Sequence, residues 1–379
     1  MRLTAWLLLS FPLLAETHSA SSRISSRMQE MIQANEVPGA VTLIATRDGV
    51  THLAATGNSG PGAAKPLRKD SVFWIASMTK PITGTAILML QEDGKLSVDD
   101  PVAKYVPELG NLKTPSGKAA NLTLRHLMTH TAGMPEATDD ESAAAKKLAD
   151  LIPAYLNKPM LFEPGSEWKY SQSGINTLGR IIEVASGKPY EKFLEERLFK
   201  PLGMKDTTFY LRPNQLSRLV TPVKRGEGGK LVEAPVRILY GKSPVSTDRF
   251  PAANGGLFST APDYARFARM ILNQGSLDGR QYLKPESVKL MTTIQSGSLT
   301  TGFTPGNGWG LTWCVIREPQ GVTAMLSPGT HGHGGAYGTQ AWIDPVKGVA
   351  LILMVQRSDF ANADASAVRN AFQSAAVEE

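Results

Sequence analysis

Three short segments hold residues whose types and spacing could do chemistry. In Trp74-Ile-Ala-Ser77-Met-Thr-Lys80-Pro, a serine and a lysine stand three apart where Ile75, Met78, Ile82, Ala86 and Met89 begin an apolar stripe at helical spacing. Residues three apart share a helix face, so the amine can reach the hydroxyl. The helix N-terminus favours developing negative charge, and a serine hydroxyl is a weak nucleophile until such a neighbour activates it. Pro81 is tolerated because its missing N–H, in the first turn, leaves no bond unmade. A helix cap plus a surface lysine would be spelled the same way. The spacing also recurs at Ser166 and Lys169, after Pro164-Gly165, where an extended chain would send the two side chains to opposite faces.

The second segment places Tyr170 just before an amphipathic run over 175–185. A phenol titrates near pH 10, but lysines around it can stabilise the phenolate and let it shuttle a proton. An ordinary half-buried tyrosine is the plainer alternative. The third is Thr330-His-Gly-His333-Gly-Gly335-Ala336-Tyr-Gly, leading into a strand-like run. Its glycines let backbone approach a ligand closely, and an exposed strand edge can offer an N–H to an oxyanion or an extended substrate. A glycine-rich turn reads equally well.

The elements that must position these groups come from both ends of the chain. Ile24, Met28, Met31 and Ile32 predict a helix over 22–35, stopped by Pro38-Gly39. The β-rich runs 41–45 and 50–54 flank Arg47-Asp48-Gly49, a hairpin signal whose tight primed turn needs positive φ. Runs 340–343 and 349–355 repeat the strand pattern, and Val368, Phe372 and Ala375 predict a closing helix. Between them, helical runs over 81–91, 175–185 and 262–272 dominate. The fold expected is α/β (α+β): an antiparallel sheet flanked by N- and C-terminal helices, with an inserted all-α domain. The discontinuous sheet domain would comprise 21–75 plus 285–379 and the insert 76–284. Ser77, Tyr170 and His333 would converge in the cleft between them, with the loops 136–150 and 224–253 shaping the pocket.

Composition narrows the function. At roughly 150 residues per domain, 379 residues allow two domains or one composite. With 42% hydrophobic and 20% charged residues, disorder, collagen-like repeats and coiled coil are excluded. The net charge of +6 is spread in runs no longer than pairs such as Lys146-Lys147, so no nucleic-acid partner is expected. A single cysteine, Cys314, excludes an intramolecular disulfide and a Cys-based zinc site. Met1-Arg2, an apolar stretch over 3–15 and small residues at Ala15, Ser19 and Ala20 have the parts of a secretory signal peptide over 1–20. That predicts an exported protein, periplasmic or secreted, with no transmembrane segment.

Other chemistries fit less well. His126 and His130 stand four apart and His331 and His333 two apart, but no Glu follows His126, so the His-Glu-x-x-His pattern is absent. No Gly-x-Ser-x-Gly elbow and no Walker-type loop occur. Gly306-Asn-Gly-Trp-Gly310 lacks the third glycine spacing of a dinucleotide loop and reads as a plain loop. Neither a metal nor a cofactor is expected.

Together the three segments resemble the serine β-lactamase and penicillin-binding-protein superfamily, with the likeness running most closely to class C β-lactamases, D-alanyl-D-alanine carboxypeptidases and family VIII carboxylesterases. Leu124-Arg-His-Leu-Met-Thr-His-Thr-Ala-Gly-Met-Pro135, the run 198–205 and Gly255-Gly-Leu-Phe-Ser-Thr-Ala-Pro-Asp263 extend the resemblance over nearly the whole chain. It implies Ser77 as acylated nucleophile, Lys80 as its activating partner and Tyr170 as general base and acid. It implies an oxyanion hole from the N–H groups of Ser77 and of Ala336, the latter on an edge strand. Gln172 stands where Tyr-x-Asn elements carry asparagine, and His333-Gly-Gly335 where class C enzymes carry Lys-Thr/Ser-Gly. The longer Gln172 arm would displace a bond to a substrate amide, and a histidine mostly neutral at pH 7 would deny a β-lactam carboxylate its fixed counter-charge. The resemblance therefore favours a carboxylesterase-like serine hydrolase of ester or amide bonds. A D-alanyl-D-alanine carboxypeptidase acting on D-amino-acid peptides, a weak class C-type β-lactamase and a non-catalytic cell-wall-binding protein are the alternatives.

Overall fold

The computed structural model describes residues 19–62 and 64–377. The signal-like segment lies outside them except for Ser19 and Ala20, where the Ser19 hydroxyl caps the first helix by accepting the Ser22 N–H.

The run Val349–Met354 is apolar at every position, so as a strand it must be covered on both faces. It lies near the centre of a seven-stranded sheet. Numbered along the chain, the strands are β1 (Gly39–Thr46), β2 (Val50–Gly57), β3 (Asn307–Trp309), β4 (Cys314–Ile316), β5 (His331–Gly334), β6 (Gln340–Asp344) and β7 (Val349–Met354). Their order is β2-β1-β7-β6-β5-β4-β3, antiparallel at every pairing. The helices that matter to the site are α1 (Ala20–Gln33), α2 (Thr79–Glu92), α3 (Leu124–Thr129), α4 (Ser173–Ser186), α5 (Ala261–Leu272) and α6 (Ala367–Val377).

Strand alternation divides the core in two. Leu351 and Leu353 join Ile44 beneath α1 and α6, which contribute Ile24, Met28, Val368, Phe372 and Ala375. Ala350, Ile352 and Met354 join Val41 and Leu43 on the opposite face, where α5 packs on β1 and β7. Each fully buried side chain of the size of Phe372 contributes about 1.5–3 kcal/mol through its removal from water. The placement of α5 departs from expectation. It falls within the stretch 76–284, yet its buried face of Tyr264, Phe267 and Ala268 covers the sheet.

Two local expectations also change. The hairpin forms, but neither Asp48 nor Gly49 is left-handed; a bulge between Ile44 and Ala45 accommodates the three-residue turn instead. The segment around Gly308 is not a loop but the edge strand β3. Its entry needs Gly306, at φ +79°, because a Cβ there would strike the Glu318 carbonyl oxygen.

On the helical side, α2 is buried continuously from Thr79 to Leu90, as expected of a helix surrounded by others. It packs on α4, which also packs on α3. Among the described residues, no helix is long and apolar enough to cross a membrane.

Candidate active site

Ser77 sits in a 3₁₀ turn, Ala76–Met78, that runs directly into α2. The residue before it, Ala76, holds φ +45°, a left-handed conformation that costs a non-glycine residue free energy and persists only when its surroundings impose it. They do so here. Gln356 pairs with both backbone groups of Trp74, at 2.9 and 3.1 Å. The Trp74 indole donates to the Gly255 carbonyl, and the Ile75 N–H to that of Leu257 at 3.0 Å. Thr79 Oγ1 donates to the Ala76 carbonyl at 2.7 Å. The turn thus presents the half-buried Ser77 hydroxyl from a fixed backbone.

Lys80 is completely buried. Its Nζ lies 3.2 Å from Ser77 Oγ, 2.9 Å from Gln172 Oε1 and 2.7 Å from the Asn254 carbonyl oxygen. The last two partners can only accept. A neutral amine therefore directs its two N–H bonds at them and leaves its lone pair facing the Ser77 hydroxyl. Burial pulls the Lys80 pKa down to about 7, against a smaller upward pull from the Glu136 carboxylate. Gln172 Oε1 also accepts from Asn254 Nδ2 at 2.8 Å, which fixes the amide that holds the lysine. In the free protein the Gln172 side chain is thus engaged with Lys80 and Asn254.

Glu136 orders the same corner from behind. Its carboxylate accepts the N–H groups of Gln172 and Ser173, at 2.8 and 2.9 Å, at the start of α4, where negative charge is favoured. Burial raises its pKa, opposed by those bonds and by Lys80.

The Tyr170 ring lies 4.6 Å, to its centroid, from Lys80 Nζ, and its hydroxyl bonds to Ser77. The expected phenolate is not favoured. Burial pushes the phenol well above its ordinary value, and the bond to Ser77 only partly opposes this. The expectation fails because the tyrosine is walled by His130, Trp168, Phe303 and Trp309 and has a single, itself desolvated lysine beside it. His130 clamps both flanks of Tyr170: its carbonyl accepts the Lys169 N–H at 3.0 Å, and its Nδ1 accepts the Ser171 N–H at 3.1 Å.

His333 lies in β5, one residue before its end, with Nδ1 2.7 Å from the Gly334 carbonyl oxygen and Nε2 3.4 Å from the Tyr170 hydroxyl. The carbonyl can only accept, so Nδ1 carries the proton and Nε2 turns its lone pair to the phenol. Burial lowers its pKa to about 3, with Lys80 adding to the effect; the ring is neutral.

Ala336 needs a correction. It follows β5 in a turn rather than lying on a strand, and β5 is an interior strand. β4, however, pairs only with His331 and Gly332, so the chain beyond leaves the ladder free and reaches the Ser77 turn. Gly335 is wedged there: a Cβ would collide with Thr339 Oγ1 and come within 2.7 Å of the Ile75 carbonyl oxygen. Gly335→Ala is expected to lose about 1–3 kcal/mol of stability, the usual cost of overpacking, and is checked by denaturant melts.

Ser77, Gln172 and Ala336 line one cleft of about 230 Å³ with Trp74, Asn254 and Gly255. Its outer wall comes from the two long loops, through Asp139 on one and Arg237, Ile238 and Tyr240 on the other. Ser166 and Lys169 stand elsewhere: the Ser166 hydroxyl donates to the Glu163 carbonyl at 2.7 Å, and Lys169 is exposed. His126 faces the Thr123 cap of α3 while His130 packs on Tyr170, so the pair does not converge. Among the described residues, no three His, Cys, Asp or Glu side chains are grouped to hold a metal ion. Glu136 and Asn254 escape sequence reasoning. Asn254 holds Lys80 through its backbone carbonyl, which no side-chain pattern records, although it directly precedes the Gly255-Gly256 pair.

The same architecture occurs in the solved structure of EstCE1, a hydrolase with promiscuous acyltransferase activity (TM-score 0.80, 22% identity, 94% of this chain and 98% of that one). Esterase EstB of Burkholderia gladioli is 26% identical over 368 residues, covering 89% of this chain and 90% of that protein. The D-alanyl-D-alanine-carboxypeptidase/endopeptidase AmpH of Escherichia coli K12 is 27% identical over 311 residues, 80% of this chain and 75% of that protein. The family model described as Beta-lactamase matches residues 24–376. With a β-lactamase/transpeptidase-like fold and a match over almost its entire length, the chain belongs to the beta-lactamase family.

Proposed function

We propose that this protein is a serine hydrolase that cleaves esters through an acyl-enzyme on Ser77. The observation that carries the proposal is the buried Lys80 amine, 3.2 Å from Ser77 Oγ and with a pKa of about 7. In the first step, the Lys80 lone pair takes the Ser77 proton as Oγ attacks the ester carbonyl. The oxyanion lies between the N–H groups of Ser77 and Ala336, where a lost donor costs about 2.7–4 kcal/mol of barrier. Lys80, now an ammonium, is held by Gln172, by the Asn254 carbonyl and by the face of the Tyr170 ring. Neutral Tyr170 passes its hydroxyl proton to the departing alkoxide and is reprotonated at the expense of Lys80. Water then enters and releases the acid by the reverse proton path.

Esters are favoured over β-lactams and D-alanyl peptides because both of the latter present a carboxylate. Here His333 is neutral, and Arg237, at the cleft rim, is exposed and faces Asp139 at 3.4 Å. The esterase relative supports the same choice, and the carboxypeptidase relative keeps a D-alanyl peptide in the test. Rates on a short nitrophenyl ester, a chromogenic cephalosporin and a D-Ala-D-Ala peptide decide it: the ester is expected fastest, and a cephalosporin or peptide rate above it would reverse the choice. The signal-like N-terminus supports action outside the cytoplasm.

The proton path fixes a pH dependence. Only neutral Lys80 can accept the Ser77 proton, so kcat/KM rises with pH through about 7 and falls about tenfold per pH unit below it. A phenolate base would place that limb at or above pH 10. Glu136 holds the Lys80 pKa up, so Glu136→Gln is expected to move the limb to lower pH in the same titration.

A further inference from the structure

Among the described residues, two charged side chains line the cleft that holds Ser77, Asp139 and Arg237. They come from the two long loops, carry opposite signs and meet at the rim, Arg237 Nη2 lying 3.4 Å from Asp139 Oδ2. Both reach into water, the Arg237 side chain 75% and the Asp139 side chain 69% exposed. Neither the completely buried Lys80 nor Asp140 lines the cleft. An ion pair so exposed contributes little to stability. Its charges bear instead on what enters the cleft beside it.

Each charge stands on backbone tied to one half of the catalytic group. The Arg237 N–H donates to the Tyr337 hydroxyl at 3.3 Å, which donates in turn to the Pro235 carbonyl at 2.7 Å. Tyr337 adjoins Ala336, and its ring meets the Trp74 indole edge-on at 4.6 Å. On the other loop, Asp139 follows Thr138, whose hydroxyl accepts the Glu141 N–H at 3.2 Å while the Glu141 carboxylate accepts the Thr138 N–H at 2.7 Å. Three residues before Asp139, Glu136 holds the N–H groups of Gln172 and Ser173.

The loops are also joined beyond the pair. Lys242 Nζ donates to the Ala143 carbonyl at 3.2 Å, Lys146 meets Asp248 at 2.9 Å, and the Tyr240 hydroxyl bonds to Ser142. These bridges keep the walls together when either charge at the rim is removed, so the charge can be separated from the shape of the cleft.

We infer that Asp139 and Arg237 are specificity-determining residues: paired, they cancel each other's charge at the rim and select an uncharged acyl chain. The inference rests on the acyl-enzyme reading, which leaves the acyl chain on Ser77 and hence in this cleft. A chain ending in an anion must compete with Asp139 for Arg237, and one ending in a cation must compete with Arg237 for Asp139. Either also gives up hydration to do so, whereas an uncharged chain leaves the pair as it is. Removing one member makes the same rim charged and favours the chain of opposite sign.

Nitrophenyl esters of three acids of nearly equal size test this: γ-tert-butylbutyric, γ-(trimethylammonio)butyric and γ-sulfobutyric acid, ending in an uncharged, a cationic and an anionic group. Their kcat/KM values are compared in the unaltered protein, Asp139→Asn and Arg237→Gln, with folding checked by circular dichroism. The unaltered protein is expected to take the tert-butyl ester fastest. In Asp139→Asn the sulfonate-to-tert-butyl ratio should rise by up to about fivefold, the worth of an exposed ion pair, and the ammonium-to-tert-butyl ratio should fall. Arg237→Gln should do the reverse, and added salt should shrink both shifts. A charged ester taken fastest by the unaltered protein, or ratios that stay fixed or move the same way in both variants while Ser77 is still acylated, overturns the inference alone. No turnover and no acyl group on Ser77 with any of the three esters overturns the acyl-enzyme reading and the inference with it.

Discussion

Ser77→Ala is expected to remove turnover of an activated ester by up to about 10⁶-fold, the scale of losing a serine nucleophile from a site whose binding groups remain. Stability should change by less than about 0.5 kcal/mol. The side chain is half-buried, and the turn that carries it is held by Trp74, Ile75 and Thr79 through contacts that do not involve its hydroxyl. The loss belongs to chemistry alone, so steady-state rates and a thermal melt on one preparation separate it from unfolding. Hydrolysis persisting in a folded Ser77→Ala protein would move the nucleophile elsewhere.

Tyr170→Phe is the second large effect. It keeps the ring that packs on His130, Trp309 and Phe303 and removes only the hydroxyl. The expected fall in kcat is about 10²–10⁴-fold, the usual worth of a positioned general acid–base group. Because the phenol is neutral in the free protein, its part is proton donation to the leaving group, and the defect should shrink as the leaving group becomes more acidic. A nitrophenyl ester should suffer less than an alkyl ester. Equal losses on both would leave Tyr170 a positioning role, and near-normal rates on both would leave proton transfer to Lys80 alone.

How much of this was legible in the sequence depends on whether a property is local. The run 349–355 announces a strand covered on both faces, because an apolar residue at every position is a property of neighbouring residues. The pairing of Ser77 with Lys80 is equally local, being one helical turn. The conformation of Arg47-Asp48-Gly49 is less so: the register of β1 on β2, not the Asp-Gly pair, selects the turn, and the bulge at Ile44 absorbs the difference. The position of Ala336 required knowing where β4 stops pairing with β5. The Tyr170 phenol illustrates the general limit. Its ionisation depends on burial against His130, Trp168 and Trp309, which the fold rather than any local pattern brings against the ring. Gln172 was legible as a departure from a familiar pattern, but its partnership with Lys80 and Asn254 was not. A one-methylene change can be read from sequence, whereas the atom it reaches is set by packing of α4 on α2.

The acyl-enzyme itself is the most direct test. The protein is mixed with an excess of nitrophenyl acetate, quenched in acid and digested, and the peptides are weighed by mass spectrometry. The account predicts an acetyl group on the peptide containing Ser77, formed in a burst and absent from Ser77→Ala. Turnover with no adduct, or with the acetyl group on another residue, would contradict it.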